Sequence, residues 1–450
     1  MTTDNQTDII NHSDASAISV EQPAWMKSRL EAFMDQRFGI IIHWGLYSQW
    51  NCIESWPLVP MDKWARPEDL DCWVQRERDL DRFSRDYRAL NRSFNPTQFD
   101  AEHWAELGAK AGAKYMAFTT KHHDGFCLFD TKTTDYRITH PSCPYSSSPR
   151  ADVVRAVFDA IRARGMAISC YFSKSDWHCP WYWWKGAPVV DRNPNYDTHA
   201  HPDRWEQFVQ FTHSQIEELM RDYGPIESLW LDGGQVRPPN QDIRMDEIAA
   251  MARRYHPELL IADRCVGGHN ENYITPEQKI PEEPLGVPWE SCVTLGKHWK
   301  HVENDSYKSL AEVLSMLVET ASKGGNLMLG IGPDARGLFV PEVEEKLLSI
   351  GHWLKEQGEG IYGTRPIAPY QTAELRYTCK HHAIYAFVMP GVRKEELLLE
   401  GIDPARVGAV QWLADGAPLK WRKTGEGKLA VSVGTRVFEL PTGLRVELKD

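Results

Sequence analysis

The stretch Arg37-Phe-Gly-Ile-Ile-Ile-His-Trp-Gly45 is an apolar run that stops abruptly at a histidine. Apolar runs of this length that do not alternate with polar residues fit strands covered on both faces, as in a parallel sheet. The form recurs at Tyr115-Met-Ala-Phe-Thr-Thr120, Met166-Ala-Ile-Ser-Cys-Tyr-Phe172, Glu227-Ser-Leu-Trp-Leu231 and Leu259-Leu-Ile-Ala262. A weaker run, Val287-Pro-Trp-Glu-Ser-Cys-Val293, and a strong one, Asn326-Leu-Met-Leu-Gly-Ile331, follow, with Gly360-Ile-Tyr-Gly363 as the candidate to close the set at eight. Helical patterns fill the intervals at 98–112, 151–164, 203–222, 243–255, 308–322 and 341–357. Several begin after a proline signal: Asn95-Pro96, Ser148-Pro149, His201-Pro202 and Val340-Pro341. Strands alternating with helices make βαβ units, and about eight of them over ~340 residues favour a closed (β/α)8-like barrel over an open sheet.

Beyond Tyr362 the rhythm changes. Short runs at 374–379, 383–388, 396–399, 409–412, 429–433 and 445–448 are separated by Gly, Pro and Asp, the pattern of a small antiparallel β-sandwich. The expected organisation is an α/β chain with a disordered leader at 1–22, a catalytic barrel at 23–364 and a C-terminal sandwich at 365–450. Residues 51–95, rich in Trp, Arg and Asp, are expected to form a long βα loop of the barrel.

The composition sets bounds on function. With 42% hydrophobic residues among 450, the chain can bury a large core. Lys and Arg number 51 against 63 Asp and Glu, a net charge of −12 with no basic stripe, which makes the chain a poor candidate for a binder of nucleic-acid backbone. No apolar run is long enough to span a bilayer. The polar N-terminus lacks a signal peptide's basic and apolar regions. Nine scattered Cys without a Cys-x-x-Cys pair read as reduced thiols. A cytoplasmic protein without membrane partners is the expectation. The 18 Trp residues suit both core filling and packing against sugar CH faces.

Barrel enzymes act at the C-terminal ends of their strands, and there the unusual residues fall. The first strand ends in His43, the second runs into Lys121-His122-His123-Asp124, the third into Ser173-Lys174-Ser175-Asp176, the fourth into Asp232-Gly233-Gly234 and the fifth into Asp263-Arg264. The sixth carries Glu290. Asp232 follows Trp230-Leu231 and precedes two glycines that keep space beside it, although Asp-Gly is also common turn chemistry. Sugar cleavage with retention needs a second carboxyl group ~5–5.5 Å from the first. Glu277 and Glu290 are the candidates, both expected to reach the rim, with Trp289 available as an apolar wall to raise the pKa of Glu290. His43, His122, His123 and Asp232 also suggest a metal site. The first strand offers no His-x-His pair, however, and adjacent His122 and His123 point to opposite sides of an extended segment. Neutral imidazoles hydrogen-bonding sugar hydroxyls are the preferred reading, with no metal and no cofactor.

Taken together and in order, Phe38-Gly-Ile-Ile-Ile-His-Trp-Gly45, Lys121-His-His-Asp-Gly-Phe126, Trp230-Leu-Asp-Gly233 and Lys323-Gly-Gly-Asn-Leu-Met-Leu-Gly-Ile-Gly-Pro333 resemble the α-L-fucosidases of glycoside hydrolase family 29, over about residues 24–366. The resemblance implies a barrel with a β-sandwich behind it and a retaining, metal-independent exo-glycosidase acting on fucosylated oligosaccharides. It implies that Asp232 is the nucleophile, that His43, His122 and His123 hold fucose hydroxyls, that Trp230 lines the site and that Arg264 is its basic partner. The acid/base is Glu277 or Glu290, with Glu290 narrowly preferred. Glu54 and Trp56 match an early pair that contacts the sugar. A homo-oligomer is implied by the resemblance alone. The chain departs from the family in three places: Ser55 interrupts the Glu-Trp pair, Trp299-Lys300-His301 stands for Trp-Gly-Tyr, and Gly330 stands for Asn in Leu-Asn-Ile-Gly-Pro. These changes touch the rim, so a related exo-glycosidase of altered sugar or aglycone preference is the alternative, followed by a non-catalytic sugar-binding protein.

Overall fold

The computed structural model describes residues 24–264 and 266–449; the leader expected at 1–22 lies outside them. Seven parallel strands form the first sheet: β1 Phe38–Ile42, β2 Tyr115–Thr119, β3 Ala167–Ser173, β4 Ser228–Asp232, β5 Leu260–Asp263, β6 Glu290–Thr294 and β7 Asn326–Ile331. Their order is β5-β4-β3-β2-β1-β7-β6, so the sheet curls and leaves a gap between β5 and β6.

Residues 272–278 fill that gap as an irregular eighth stave. On the β5 side, Asn272 donates its backbone N–H to the Ile261 carbonyl at 2.8 Å. On the β6 side, Glu290 donates to Ile274 at 2.9 Å and Cys292 to Pro276 at 3.0 Å. Pro276 has no N–H to give, so the ladder there is sparse and the segment is not a regular strand. The sequence expectation for the closing strand is thereby corrected. Gly358–Gly360 forms a 3-10 turn that prolongs the helix Pro341–Gln357, and 361–363 are turn residues. Ile361 is buried, which gave the segment its strand-like look.

Strand parity decides what faces the barrel axis. On β4, Leu229 and Leu231 pack outward into the core shared with the helices. Trp230 belongs instead to the inner cluster with Ile41, Ala117, Tyr171, Ala262, Cys292 and Met328. Two residues on from Ile41, Trp230 and Ala262 stand His43, Asp232 and Arg264, so the same parity aims these three inward at the C-terminal mouth. The opposite mouth is plugged by the helix Ala24–Gln36, whose Met26, Leu30 and Phe33 join the inner cluster at i, i+4 and i+7 spacing. The outer helices are fixed at their starts, as where Ser309 and Glu312 form a capping box.

The C-terminal strands are β8 Arg365–Gln371, β9 Leu375–Lys380, β10 Ala383–Val388, β11 Glu396–Leu399, β12 Val407–Trp412, β13 Trp421–Lys423, β14 Leu429–Ser432 and β15 Thr442–Leu448. They form two antiparallel sheets, β12-β15-β10-β9-β8 and β11-β14-β13, that enclose one apolar core. Among the described residues no helix is long and apolar enough to cross a membrane.

Candidate active site

A cavity of about 280 Å³ opens at the C-terminal mouth of the barrel, lined by His43, Glu54, Trp56, His122, His123, Trp230, Asp232, Arg264 and Glu277 among others. Nine of the ten residues singled out from the sequence thus meet in one hollow. Glu290 does not. The sequence places it within a strand at 287–293, but β6 begins at Glu290, which pairs with Asn326 at the start of β7. Glu290 therefore sits near the plugged end of the barrel, fully buried, and the expectation that it reaches the rim is corrected.

Asp232 ends β4, and three hydrogen-bond donors and an imidazole surround its carboxylate. Oδ1 accepts from Arg264 at 2.9 Å and from the Gly233 N–H at 2.8 Å. Oδ2 accepts from the Tyr171 hydroxyl at 2.6 Å and lies 3.6 Å from His123 Nε2. Burial alone would raise its pKa, but Arg264, then His123, Tyr171 and the Gly233 amide outweigh it and hold the group well below the usual carboxylate range. Gly233 turns the chain away at φ +88°, a backbone conformation that favours glycine, with a Cβ there meeting Ser175 Oγ at 3.2 Å.

Glu277 stands on the irregular stave. Arg264 donates one terminal nitrogen to it and the other to Asp232, and Trp299 donates its indole N–H to Glu277 Oε1 at 3.2 Å. Arg264 in turn lies 4.3 Å over the Trp230 ring. Two carboxylates on the two ends of one guanidinium are necessarily close. Gly330 matters to this arrangement, since a Cβ there would meet the Trp299 ring at 2.6 Å. The departure at 330 thus makes room for the indole that holds Glu277.

The three histidines are neutral. Burial pushes His43 down to about 3 and His123 down to about 4, with Asp232 opposing it in both cases. His122 is lowered by burial and then by its histidine neighbours. Ser55 Oγ lies 2.6 Å from His122 Nδ1, and Ser173 Oγ lies 2.6 Å from His123 Nδ1. The inserted Ser55 therefore fixes one of the site's imidazoles. His122 and His123 both face the cavity, with ring centroids 4.3 Å apart, against the sequence expectation. The chain is not extended there: Gly125 donates its N–H to the His122 carbonyl at 3.0 Å, closing a turn that swings both rings to one side. Glu54 is buried and accepts from the Lys300 backbone N–H at 3.2 Å. Burial pushes it up to about 7 against the opposing charge of Lys300.

Other polar residues at the strand ends serve the frame. Lys121 pairs with Asp176 at 3.1 Å and Lys174 with Asp263, all four buried. Among the described residues no group of three or more His, Cys, Asp or Glu is placed to hold a metal ion. Sequence reasoning missed Tyr171, Trp299 and Arg192 in the cavity wall. Tyr171 was open to discovery by parity, since it pairs with Trp230 across β3 and β4.

Glu290 has its own place. Its Oε1 accepts from the Trp230 indole at 3.1 Å. Burial pushes it up to about 7, with bonds to Tyr115 and Trp230 and the charge of Arg264 opposing. The unfolded chain loses this proton near 4.5 while the folded chain keeps it to about 7, so stability falls across that window and stays reduced above it. Glu290→Gln retains the acceptor for Trp230 and removes the titration. Melts of the variant are expected to gain more over wild type at pH 8 than at pH 4.5, with turnover within about threefold. An equal shift at both pH values would contradict the assignment of this group.

Two carboxyl groups within reach of one another, in a hollow of this size at a barrel's C-terminal mouth, are the means by which glycosidic bonds are broken, and the class so defined is a glycoside hydrolase. A family model described as alpha-L-fucosidase matches residues 9–359. The chain belongs to the α-L-fucosidase family. The plasma alpha-L-fucosidase of Homo sapiens is 30% identical over 424 residues, 89% of this chain and 85% of that protein. The tissue alpha-L-fucosidase of Homo sapiens is 27% identical over 438 residues, 91% and 85% of the two chains. Among solved structures, alpha-L-fucosidase isoenzyme 1 from Paenibacillus thiaminolyticus is similar with a TM-score of 0.77 at 30% identity, covering 95% of this chain and 100% of that one. A GH29 alpha-L-fucosidase from Bacteroides thetaiotaomicron shares the fold, with a TM-score of 0.77 at 23% identity over 96% and 97% of the two chains.

Proposed function

We propose that this α-L-fucosidase is an exo-acting, retaining enzyme that removes terminal α-L-fucosyl residues from oligosaccharides, with Asp232 as nucleophile and Glu277 as acid/base. The observation that carries the reading is the bridge from Arg264 to both carboxylates. Holding both carboxylates on one side chain supports the short ~5–5.5 Å separation that retaining enzymes use over the wider one of inverting enzymes. A cavity of about 280 Å³ falls at or below the small end of the roughly 300–1,000 Å³ of ligand sites, room for one sugar ring rather than a chain. Ser55 and Ser173 hold Nδ1 of His122 and His123, which leaves Nε2 of each ring, beside the ring nitrogens of His43, to meet hydroxyl groups.

In the first step the Asp232 carboxylate attacks the anomeric carbon. The bond from that carbon to the aglycone oxygen breaks, and Glu277 delivers its proton to that oxygen. Oδ2 of Asp232 accepts one hydrogen bond, from Tyr171, with His123 Nε2 further off at 3.6 Å, against two on Oδ1, and is the freer of the two to attack. Having given its proton to the aglycone oxygen, Glu277 is left as a carboxylate. That form is the base of the second step. It takes a proton from water, the water oxygen bonds to the anomeric carbon, and the ester to Asp232 breaks to release L-fucose. The described cysteines are all free thiols, which supports the reading of a reducing compartment such as the cytoplasm.

Proton NMR during hydrolysis of an aryl α-L-fucoside tests this. The first product is expected to be α-L-fucose, which then mutarotates. β-L-Fucose as the first product would overturn the retaining mechanism, and an inert fucoside beside a cleaved galactoside would overturn the sugar.

A further inference from the structure

The cavity wall steps outward as a ramp of rings. His123 is buried at the floor, the half-buried Trp56 lies 4.9 Å from it, and Trp64 lies 6.2 Å beyond Trp56. Trp64 is 53% exposed, yet it lines the same cavity as Asp232 and Glu277. Its ring is not loose. The indole N–H donates to Asp62 Oδ1 at 3.2 Å. Asp62 is itself buried and gripped through both oxygens by Arg192, at 2.8 and 3.0 Å. Arg192 lies 4.3 Å over the Trp56 ring, so one network orients both indoles. Two further exposed apolar residues adjoin: Met61 donates its backbone N–H to the Val190 carbonyl at 3.1 Å, and these side chains are 65% and 56% exposed. An exposed apolar patch that is held rigid and continuous with a reaction cavity is a ligand surface.

We infer that Trp64 is the platform of an aglycone subsite, stacking the apolar face of the sugar from which fucose is removed. The inference rests on the retaining-fucosidase reading above and deepens it. The occupant follows from the chemistry. Glu277 protonates the oxygen that joins fucose to its neighbour, and the hollow holds one ring, so the neighbouring ring begins at the mouth. An indole held by its N–H presents a flat face there at little ordering cost, as sugar CH faces require.

The test compares wild type, Trp64→Ala and Trp64→Phe on α-L-fucosyl fluoride and on fucosyl disaccharides with 1→2, 1→3, 1→4 and 1→6 linkages. Fluoride is a one-atom leaving group that cannot reach Trp64. Trp64→Ala is expected to lose about tenfold or more in kcat/KM on the best disaccharide, Trp64→Phe less than about threefold, and neither more than about twofold on the fluoride. Equal losses on both substrate types, unchanged disaccharide cleavage in Trp64→Ala, or a wild type that cleaves the fluoride but no disaccharide would each overturn the subsite. A wild type inert toward the fluoride would instead overturn the fucosidase mechanism on which the subsite depends.

Discussion

Asp232→Gly is expected to lose turnover of an aryl α-L-fucoside by on the order of 10⁴-fold or more, because the proposed mechanism gives Asp232 the covalent role. The variant is expected to stay folded. Gly233 beside it already supports the turn, and Arg264 retains Glu277 as a partner once Asp232 is gone. Removing the carboxylate opens a space at the end of β4 that Tyr171, Arg264 and the Gly233 amide still line with donors. That space suits a small anion. Azide should enter it, attack the anomeric carbon from the side that Asp232 used, and yield β-L-fucosyl azide with partial recovery of rate. Asp232→Asn should be as slow without azide and gain little from it, because its amide still fills the space. Turnover within tenfold of wild type in the folded glycine variant would remove Asp232 from the reaction.

Much of this site was legible because barrel chemistry happens at strand ends and strands have a period of two. His43, Asp232 and Arg264 each stand two residues past an inward apolar residue, so pattern and chemistry coincide. Glu290 shows how narrow the margin is. Val287 and Trp289 extended its apparent strand backward, yet β6 starts at Glu290, and a shift of three residues moved the carboxyl from one end of the barrel to the other. Glu277 was read as a loop residue because Pro276 beside it disguises a stave as a loop. The turn that brings His122 and His123 together depends on Gly125 at φ +79°, where a Cβ would meet Asp176. That contact comes from the loop after β3, which local spacing cannot report. The same holds for Trp64, whose neighbours Trp56 and Arg192 are joined only by the fold. In the sandwich, β8 was missed because Pro366 and Pro369 argue against a strand, although β8 is an edge strand, where proline is tolerated.

Glu277→Gln separates its role from that of Asp232 by leaving group and by stereochemistry. A sugar aglycone leaves as a poor alkoxide unless it is protonated, so kcat/KM on such substrates should fall ~10²–10⁴-fold, the range for a lost general acid. α-L-Fucosyl fluoride needs little protonic help, and its first step should be nearly spared. The second step should then stall for lack of a base, so that a burst of fluoride precedes slow steady turnover. The substituted amide's one oxygen can keep the bond from either Arg264 or Trp299, while its NH2 faces the other donor, so the Tm is measured alongside as the folding control. Azide needs no base, and in this variant it meets a fucosyl group already attached to Asp232. Attack from the opposite face should accelerate fluoride consumption and give α-L-fucosyl azide, the opposite anomer to that expected from Asp232→Gly. The pair of anomers is diagnostic because each reports which face the missing carboxylate served. A loss independent of leaving group, or the β azide from Glu277→Gln, would leave the acid/base to some other group on the rim.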